Sequence, residues 1–162
     1  MTSPSDLPSA PDIPAPVTLA RVAALLRPDG WAVDTEKASV RHRWPHLEVA
    51  VTVRESEGML LLVRGAHVGE PIPLDRASAV EAFVNDWHRD RIWPVIVHTS
   101  TDDAIVVHTH VGVDATAGLT ATQLDDYLRI GLGTTHQCFR ALAEVGIVPR
   151  VDPQGSADPD AG

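Results

Sequence analysis

The sequence predicts a single α+β domain in which helices pack on a mainly antiparallel sheet of five strands. Apolar residues recur at helical spacing in three segments and alternate with polar residues in others. Short turn-forming segments separate neighbouring strands, and such connections favour antiparallel pairing. The predicted order of elements is α-β-β-β-α-β-β-α, which gives helices layered on a sheet. These patterns leave the order of the strands across the sheet open.

The first half of the chain carries one helix and three strands in this prediction. Thr18 is suited to cap a helix over residues 19–26, and the Pro-Asp-Gly segment that follows ends it. Residues 31–33 predict a short strand with a polar turn after it. Apolar and polar residues alternate over 47–54, which predicts a strand with one buried face. The returning strand, 59–64, is almost continuously apolar, so we expect it to be central and covered on both faces.

The second helix is predicted from a capping box and an apolar stripe. Ser78 and Glu81 fit the S-x-x-E pattern, in which the two residues cap each other's backbone. The Trp93-Pro94 pair ends the helical character, because the residue before a proline is pushed towards extended geometry. Two strands follow, over residues 95–99 and 104–113.

The last helix is predicted over Ala121–Glu144. Thr120 and Gln123 form a second capping box at its start. Gly131 and Gly133 lie inside this helix, where each costs about 1 kcal/mol relative to alanine. Their presence indicates a close approach of another backbone or a kink.

Both ends of the chain predict disordered tails around one folded unit. Residues 1–16 hold five prolines and almost no large apolar residue, and residues 150–162 are rich in Pro, Gly, Ser and Asp. The folded domain is therefore expected over residues 17–149, a length that can bury a substantial core.

Composition narrows the classes of function. Asp and Glu outnumber Lys and Arg by 22 to 13, and the formal net charge is -9. An acidic chain repels phosphate backbones and anionic lipid surfaces, so neither nucleic acid nor a membrane is an expected partner. The single cysteine excludes an internal disulfide and a cysteine-based metal cluster. No signal-peptide pattern or membrane-length apolar run is visible, so the expected location is the cytoplasm.

Two stretches carry a family resemblance. Residues 83–94 read FVNDWHRDRIWP, and residues 119–142 combine LTATQLDDY, GLGT and a closing FRAL. With the predicted element order, over roughly residues 17–148, the chain resembles YbjN-domain proteins of the actinobacterial kind. The resemblance implies a fold similar to that of type III secretion chaperones and a binding or regulatory role. It brings no catalytic residue, and His88 departs from the Asn-like residue expected at its position.

Three histidines are the strongest candidates for a metal site. His108 and His110 are two residues apart on the last predicted strand, so they share one face. A three-residue turn before that strand would bring His98 diagonally opposite His108 on the same face. Three imidazoles so placed can hold zinc and leave a fourth position open. Because the spacing lacks a compact zinc motif, a face of half-exposed polar histidines is the favoured interpretation, and no cofactor is expected.

The remaining candidates concern reactivity and partner contact. Cys138 lies on the apolar stripe of the last helix, where cysteine behaves as a small buried hydrophobe rather than as a nucleophile. Trp44 and Arg43 lie in a predicted turn and have the aromatic and arginine composition of an exposed contact site. Trp93 is a third contact candidate, for which packing at the helix-to-strand corner is the favoured alternative.

The sequence therefore favours a non-enzymatic protein-binding module, chaperone-like or regulatory, that forms a homodimer and has an unidentified protein or peptide partner. The alternative is a small metal- or ligand-binding protein that uses the outward face bearing His98, His108 and His110. A measurement of bound metal separates the two hypotheses.

Overall fold

The computed structural model describes residues 12–55 and 58–149, and within them three α-helices lie on a six-stranded sheet. The elements in chain order are α1 (Leu19–Leu26), β1 (Ala32–Asp34), β2 (Ser39–Arg43), β3 (Leu47–Glu55), β4 (Met59–His67), α2 (Ala77–Asp90), β5 (Val95–Ser100), β6 (Ile105–Asp114) and α3 (Ala121–Glu144). The strands lie in the order β1-β2-β3-β4-β6-β5, and every neighbouring pair is antiparallel. The predicted α+β class is thus confirmed. None of the described helices has both the length and the hydropathy of a membrane-spanning helix.

The predicted count of five strands is wrong by one, because β2 lies where a polar turn was expected. Val40 is the only apolar residue of β2, and its side chain is fully buried. Its polar neighbours Arg41, His42 and Arg43 give little apolar alternation for a sequence pattern to detect. Pairing with β1 on one side and with β3 on the other makes the segment a strand.

Side-chain caps begin two of the helices at the predicted residues. The Thr18 hydroxyl accepts a hydrogen bond from the Arg21 N–H at 3.3 Å at the start of α1. At α3, the Thr120 hydroxyl accepts from the Gln123 N–H at 3.0 Å, and the Gln123 side chain accepts from the Thr120 N–H at 3.0 Å. The predicted capping box of the last helix is therefore confirmed.

The capping box predicted at Ser78 and Glu81 is wrong. A 3-10 turn over Leu74–Arg76 leads directly into α2, so Arg76 occupies the N-cap and Ser78 lies within the first helical turn. The Arg76 N–H donates to the Pro73 carbonyl at 3.0 Å. The chain is already turning when α2 begins, and the helix forms without a side-chain cap.

Helices cover one face of the sheet. The fully buried apolar side chains that point to this face alternate along the strands and belong to Val40, Leu47, Val49, Val51, Leu61, Val63, Ile96, Ile105, Val107 and Val111. Helix α3 packs over β4 and β6, α1 over β2 and β3, and α2 beside β5. Gly131 lies in a close contact, but with a side chain rather than with the backbone that was predicted, since a Cβ there would lie 2.7 Å from Val63 Cγ2. Gly133 faces open space, so close approach is wrong there.

The opposite face of the sheet carries no helix within the described residues, and we call it the open face. Its side chains alternate with the buried ones and are Ala32, Asp34, Ser39, Arg41, Arg43, Glu48, Ala50, Thr52, Arg54, Leu60, Leu62, Arg64, Ala66, Val95, Val97, Thr99, Val106, His108, His110, Gly112 and Asp114. All except Ser39 are exposed or half-buried. The strand β4 is central, but the expectation that it is covered on both faces is wrong. Leu60 and Leu62 are half-buried, whereas Leu61 between them is fully buried.

Part of the segment predicted as an N-terminal tail belongs to the fold. Asp12 accepts hydrogen bonds from the N–H groups of Ala121 and Thr122 at 2.8 and 3.0 Å, at the start of α3. Hydrogen bonds from Thr122 and then Ala121 lower the pKa of Asp12 to about 2. Ala15 exchanges backbone hydrogen bonds with Leu119. The tail prediction is therefore wrong for residues 12–16, while residues 1–11 and 150–162 lie outside the described residues.

Candidate partner-binding surface

Four residues of the open face form one row across the sheet. Arg41 of β2 lies opposite Ala50 of β3, Ala50 opposite Arg64 of β4, and Arg64 opposite His110 of β6. Neighbouring strands lie about 4.8 Å apart, so the Cα atoms of the two arginines are about 10 Å apart with the alanine between them. The small side chain of Ala50 therefore forms a floor between two long cationic side chains.

A depression of about 610 Å³ lies on this floor. Its basic lining residues are Lys37, Arg41, Arg54 and Arg64, and among the described residues its one acidic lining residue is Glu36. This local excess of positive charge contrasts with the formal net charge of -9 of the whole chain. The depression therefore attracts negatively charged groups, whereas the chain as a whole repels them.

Arg41 is held in place by two carboxylates. Its Nη1 atom lies 3.3 Å from Glu48 Oε1, and its Nε atom lies 3.7 Å from Asp34 Oδ2. The Nε–H also donates to the Ser39 hydroxyl at 3.0 Å. About a third of each charged side chain is exposed, so the ion pairs orient Arg41 and add at most about 1 kcal/mol.

Arg64 contacts an imidazole rather than a carboxylate. Its Nη2 atom lies 3.2 Å from each ring nitrogen of His108. Arginine only donates, and a neutral imidazole has one acceptor nitrogen, so at most one of these contacts is a hydrogen bond. Within the described residues, no carboxylate forms an ion pair with Arg64. Its remaining N–H groups are therefore available to a ligand.

Burial and nearby positive charge favour the neutral form of both histidines of the open face. Burial, followed by the charges of Arg64 and His110, lowers the pKa of His108 from its usual 6.5. Burial, followed by the charges of Arg64 and Arg54, likewise lowers the pKa of His110. The Nε2 atom of His110 is buried and has no hydrogen-bond partner in the described part of the chain. His110 thus lines the depression, and the buried Nε2 atom of its ring lacks a partner among the described residues.

The strand register contradicts the predicted three-histidine face. His98 lies opposite Val107, so its side chain points to the helix-covered face, whereas His108 points to the open face. The β5–β6 connection spans the four residues between Ser100 and Ile105, rather than the three that were predicted. A shift of one residue exchanges the faces of a strand, which is why the prediction failed. Among the described residues, no group of three or more His, Cys, Asp or Glu side chains is arranged to hold a metal ion.

The three predicted contact residues do not form one patch. Arg43 is exposed on the open face at the end of β2. Trp44 is half-buried on the helix-covered side, where its ring centroid lies 4.2 Å from that of His42 and 4.5 Å from that of His136 on α3. Trp93 is half-buried against the core next to β5, at the other end of the sheet from β2. A contact role for each of the three residues stays a prediction.

The predicted burial of Cys138 is confirmed. Its side chain is fully buried, and this burial raises the pKa of the thiol to about 12. Nucleophilic attack requires a thiolate, which such a pKa suppresses at neutral pH. Cys138 therefore serves as a small core residue.

His88, the residue that departed from the expected family pattern, ties α2 to the edge of the sheet. Its Nε2 atom accepts a hydrogen bond from the Ile96 N–H at 3.1 Å. The turn hydrogen bond from the Thr101 N–H to the Ala104 carbonyl sets the alternation along β5, and it directs the Ile96 N–H away from β6. His88 thus occupies part of the edge of β5, which would otherwise be open to pairing with another strand.

With this geometry established, known proteins provide a comparison. A family model described as "YbjN: Putative bacterial sensory transduction regulator" matches residues 18–144. The chain belongs to the YbjN family. The resemblance seen in the sequence is thereby confirmed for the family, while the actinobacterial type and the likeness to type III secretion chaperones stay predictions. A comparison with curated proteins finds no match.

A solved structure shares the fold of this YbjN-family chain. The crystal structure of YbjN from E. coli, described as "a putative transcription regulator", aligns with a TM-score of 0.68. The alignment covers 84% of this chain and 98% of that chain, at 7% sequence identity. Identity this low establishes the fold alone. The row of Arg41, Ala50, Arg64 and His110 on the open face is therefore described for this chain and not for the E. coli protein.

The sequence did not predict the row formed by Arg41, Ala50, Arg64 and His110, because two of its strands were interpreted differently. Arg41 lies in the strand that was taken for a turn, and Arg64 ends an apolar run that was expected to be covered on both faces. Arg64 itself, a charged residue at the end of that run, was the available signal of a solvated face. The alignment of the two arginines across Ala50 depends on the register, which the sequence does not specify.

Proposed function

We propose that the protein is a non-enzymatic regulatory module that binds an acidic, extended segment of a protein partner on the open face of its sheet. The observation that carries this proposal is the asymmetry of the sheet. Helices cover one face, and the other presents a depression with four basic lining residues and one acidic lining residue among the described residues. Membership in a family described as a sensory transduction regulator agrees with a regulatory role.

The shape of the open face suits an extended segment. Ala50, Ala66 and Gly112 are small, so the backbone of a bound segment can approach the sheet closely there. Long side chains surround these positions and supply polar and charged contacts at the rim. Charge complementarity of this kind fixes the orientation of a partner and speeds its association. The proposal assigns the partner neither to nucleic acid nor to a membrane, and it places the protein in the cytoplasm.

The second part of the proposal is a homodimer that forms through Ile92, which precedes β5, and through Val95 and Val97 of β5 itself. Three apolar side chains are exposed there: Ile92 at 84%, Val95 at 46% and Val97 at 39%. Burying such side chains against a second copy removes apolar surface from water. Light scattering is expected to give twice the chain mass for the protein and the chain mass for an Ile92→Glu, Val95→Glu variant. A strictly monomeric wild-type mass at high concentration contradicts the dimer.

Photo-crosslinking in the native cell tests the partner proposal. A photoreactive phenylalanine analogue is placed at Thr52, which lines the depression, or at Arg129, which lies on the exposed side of α3. We expect the Thr52 position to give an adduct of discrete mass and the Arg129 position to give none. The adduct should disappear when Arg64→Glu is added and should remain when Arg89→Glu on α2 is added instead. No adduct from Thr52, or an equal adduct from Arg129, contradicts the proposal.

The alternative of a small-ligand protein keeps one specific observation in its favour. The buried Nε2 of His110 lacks a hydrogen-bond partner within the described residues, next to Arg64. The three-histidine zinc site has no such support, because His98 points to the other face. A ligand at this position would therefore be an anion rather than a metal ion.

A further inference from the structure

The depression on the open face brings together the chemical groups that recognise an oxyanion. Arg41 and Arg64 flank Ala50 in the same cross-strand row, and their guanidinium groups can converge on a group that rests on the alanine. Lys37 and Arg54 line the same depression and add positive charge at its sides. Guanidinium groups bind phosphate through paired N–H donors, which makes arginine the preferred residue for such groups.

His110 provides an independent sign that something polar completes the site. It lies next to Arg64 in the row, and its Nε2 atom is buried without a hydrogen-bond partner in the described part of the chain. A buried polar atom without a partner costs free energy. Four such side-chain atoms occur among the described residues, in His46, His67, Trp87 and His110, and the one in His110 belongs to a residue that lines the depression. A phosphate oxygen held by Arg64 would accept a hydrogen bond from His110 Nε2 once the imidazole ring turns that atom towards the depression.

We propose that the depression between Arg41, Arg64 and His110 is a binding site for a phosphate monoester group. The site is assigned by the row of side chains across the sheet and by the partnerless ring nitrogen. The inference rests on the proposed function for the role of the open face, but it is tested without a protein partner. The phosphate can belong to a phosphorylated side chain of the partner or to a free phosphorylated small molecule.

Bound phosphate changes the protonation of the site. In the free protein, burial and the charge of Arg64 favour neutral His108 and His110. A bound dianion offsets the charge of Arg64 and stabilises the imidazolium forms, so anion binding raises both pKa values and takes up protons. Binding therefore tightens as pH falls from about 8 to about 6.

Every charged or titratable group near these two histidines belongs to the open face or its rim. The neighbours opposite them on β5, Val95 and Val97, are apolar. The groups that line the depression or contact the two histidines are Glu36 and Lys37 before β2, Arg41 on β2, Arg54 on β3 and Arg64 on β4. Three carboxylates would oppose anion binding: Glu36 at the rim, and Glu48 and Asp34, which contact Arg41. Glu48 also lies in the cross-strand row of His108, with Ala66 between them.

Calorimetric titration at low ionic strength tests the site, because salt screens such contacts. Sulfate is the first probe, since it keeps its double charge over the pH range and any pH dependence then belongs to the protein. We expect saturable binding with one anion per chain that tightens by roughly tenfold between pH 8 and pH 6. Arg64→Gln should weaken binding by at least about tenfold, and Arg129→Gln on α3 should leave it unchanged.

The His110→Asn variant tests the role of the ring nitrogen. It should retain sulfate binding at pH 8 and lose much of the gain at pH 6. Circular dichroism confirms that each variant is folded, and Arg54→Gln provides a second charge variant if Arg64→Gln is unstable. No saturable binding at about 10 mM sulfate or phosphate, or equal loss in the Arg129→Gln control, overturns the inference.

Three further probes identify the source of the phosphate. Inorganic phosphate, glycerol 3-phosphate and a phosphoserine peptide are compared with the same peptide lacking the phosphate. Tighter binding of the phosphopeptide assigns the site to a partner side chain, and tighter binding of glycerol 3-phosphate assigns it to a small molecule. If the anions bind while no Thr52 crosslink forms, the site stands and the partner proposal fails. If the crosslink forms while no anion binds, the reverse holds.

Discussion

The two faces of the sheet differ although the same strands supply both. Along β4, Leu61 and Val63 are fully buried beneath the helices, whereas Leu62 and Arg64 next to them lie on the open face. The covered face is filled by large aliphatic side chains that pack against α1 and α3. The open face combines arginines, histidines and small residues with aliphatic side chains that are only partly buried, such as Leu62 and Val106. Antiparallel sheets tolerate one solvated face, so an uncovered face is free to acquire a binding role.

The difference shows that stability and recognition are divided between alternate residues of the same strands. A substitution on the covered face should change the free energy of unfolding, and a substitution on the open face should change binding. The predictions that follow compare matched positions on the two faces, from the largest expected effect to the smallest.

Two adjacent leucines of β4 provide the largest contrast. Leu61→Ala should lower the free energy of unfolding by about 2–5 kcal/mol, because it leaves a cavity beneath α3. Leu62→Ala on the open face should cost less than about 1.5 kcal/mol, because its side chain is already half-solvated. Urea denaturation measures both values. Equal losses in the two variants would show that both faces are covered.

Two strand glycines provide the second contrast. A Cβ at Gly65 would lie 2.5 Å from both Thr109 Oγ1 and Thr135 Cγ2 on the covered side, whereas the nearest atom to a Cβ at Gly112 on the open face is 3.5 Å away. Gly65→Ala should therefore cost about 1–3 kcal/mol of stability. Gly112→Ala should be neutral or stabilise slightly. A Gly112→Ala variant as unstable as Gly65→Ala would contradict the uncovered face.

His136 gives the covered side a pH dependence of its own. Burial, followed by the charge of His42, lowers the pKa of His136 from its usual 6.5. The unfolded chain therefore takes up this proton more readily than the folded chain, so stability is present above pH 6.5 and is lost as pH falls through the lowered pKa. Denaturation midpoints at pH 7.5 and pH 5.5 measure the loss, which a His136→Gln variant should reduce. An equal loss in that variant would assign the effect to other groups.

Arg41 gives the smallest effect on stability. Its ion pairs with Glu48 and Asp34 are partly exposed, so Arg41→Gln should change the free energy of unfolding by less than about 1 kcal/mol. Anion binding by the same variant should nevertheless weaken, because one side of the depression loses its charge. A large loss of stability with unchanged anion binding would place Arg41 in a structural role.

The elements of this chain that could be predicted are those whose sequence signals act between residues a few positions apart. The cap at Thr18, the capping box at Thr120 and the helix Ala121–Glu144 were readable because their residue types and spacing act within one turn. β2 could not be predicted, because Val40 is its one apolar residue and gives no alternating pattern. The N-terminal boundary failed because Asp12 is ordered by α3, a contact more than a hundred residues away in the chain.

The candidate site was less predictable than the fold. The pairing of His108 with His110 follows from strand period alone, and both lie on the open face. The predicted face of His98 depended on the length of the turn between β5 and β6. That turn is one residue longer than expected, which moves the His98 side chain to the opposite face. To predict the row of Arg41, Ala50, Arg64 and His110, one would need to know that β2 is a strand and how three pairs of strands are aligned. A single sequence contains no local signal that specifies such an alignment between distant strands.

Methyl NMR of leucine- and valine-labelled protein tests the central claim, that the open face is the binding surface. A glutamate-rich peptide serves as the probe, and sequence neighbours on opposite faces serve as internal controls. We predict chemical-shift changes for Leu62 and Val106, which lie on the open face, and much smaller changes for Leu61 and Val107, which lie beneath the helices. The changes should vanish in the Arg64→Glu variant. Shifts confined to Leu61 and Val107 or to helix residues, or no shifts at all, would contradict the account.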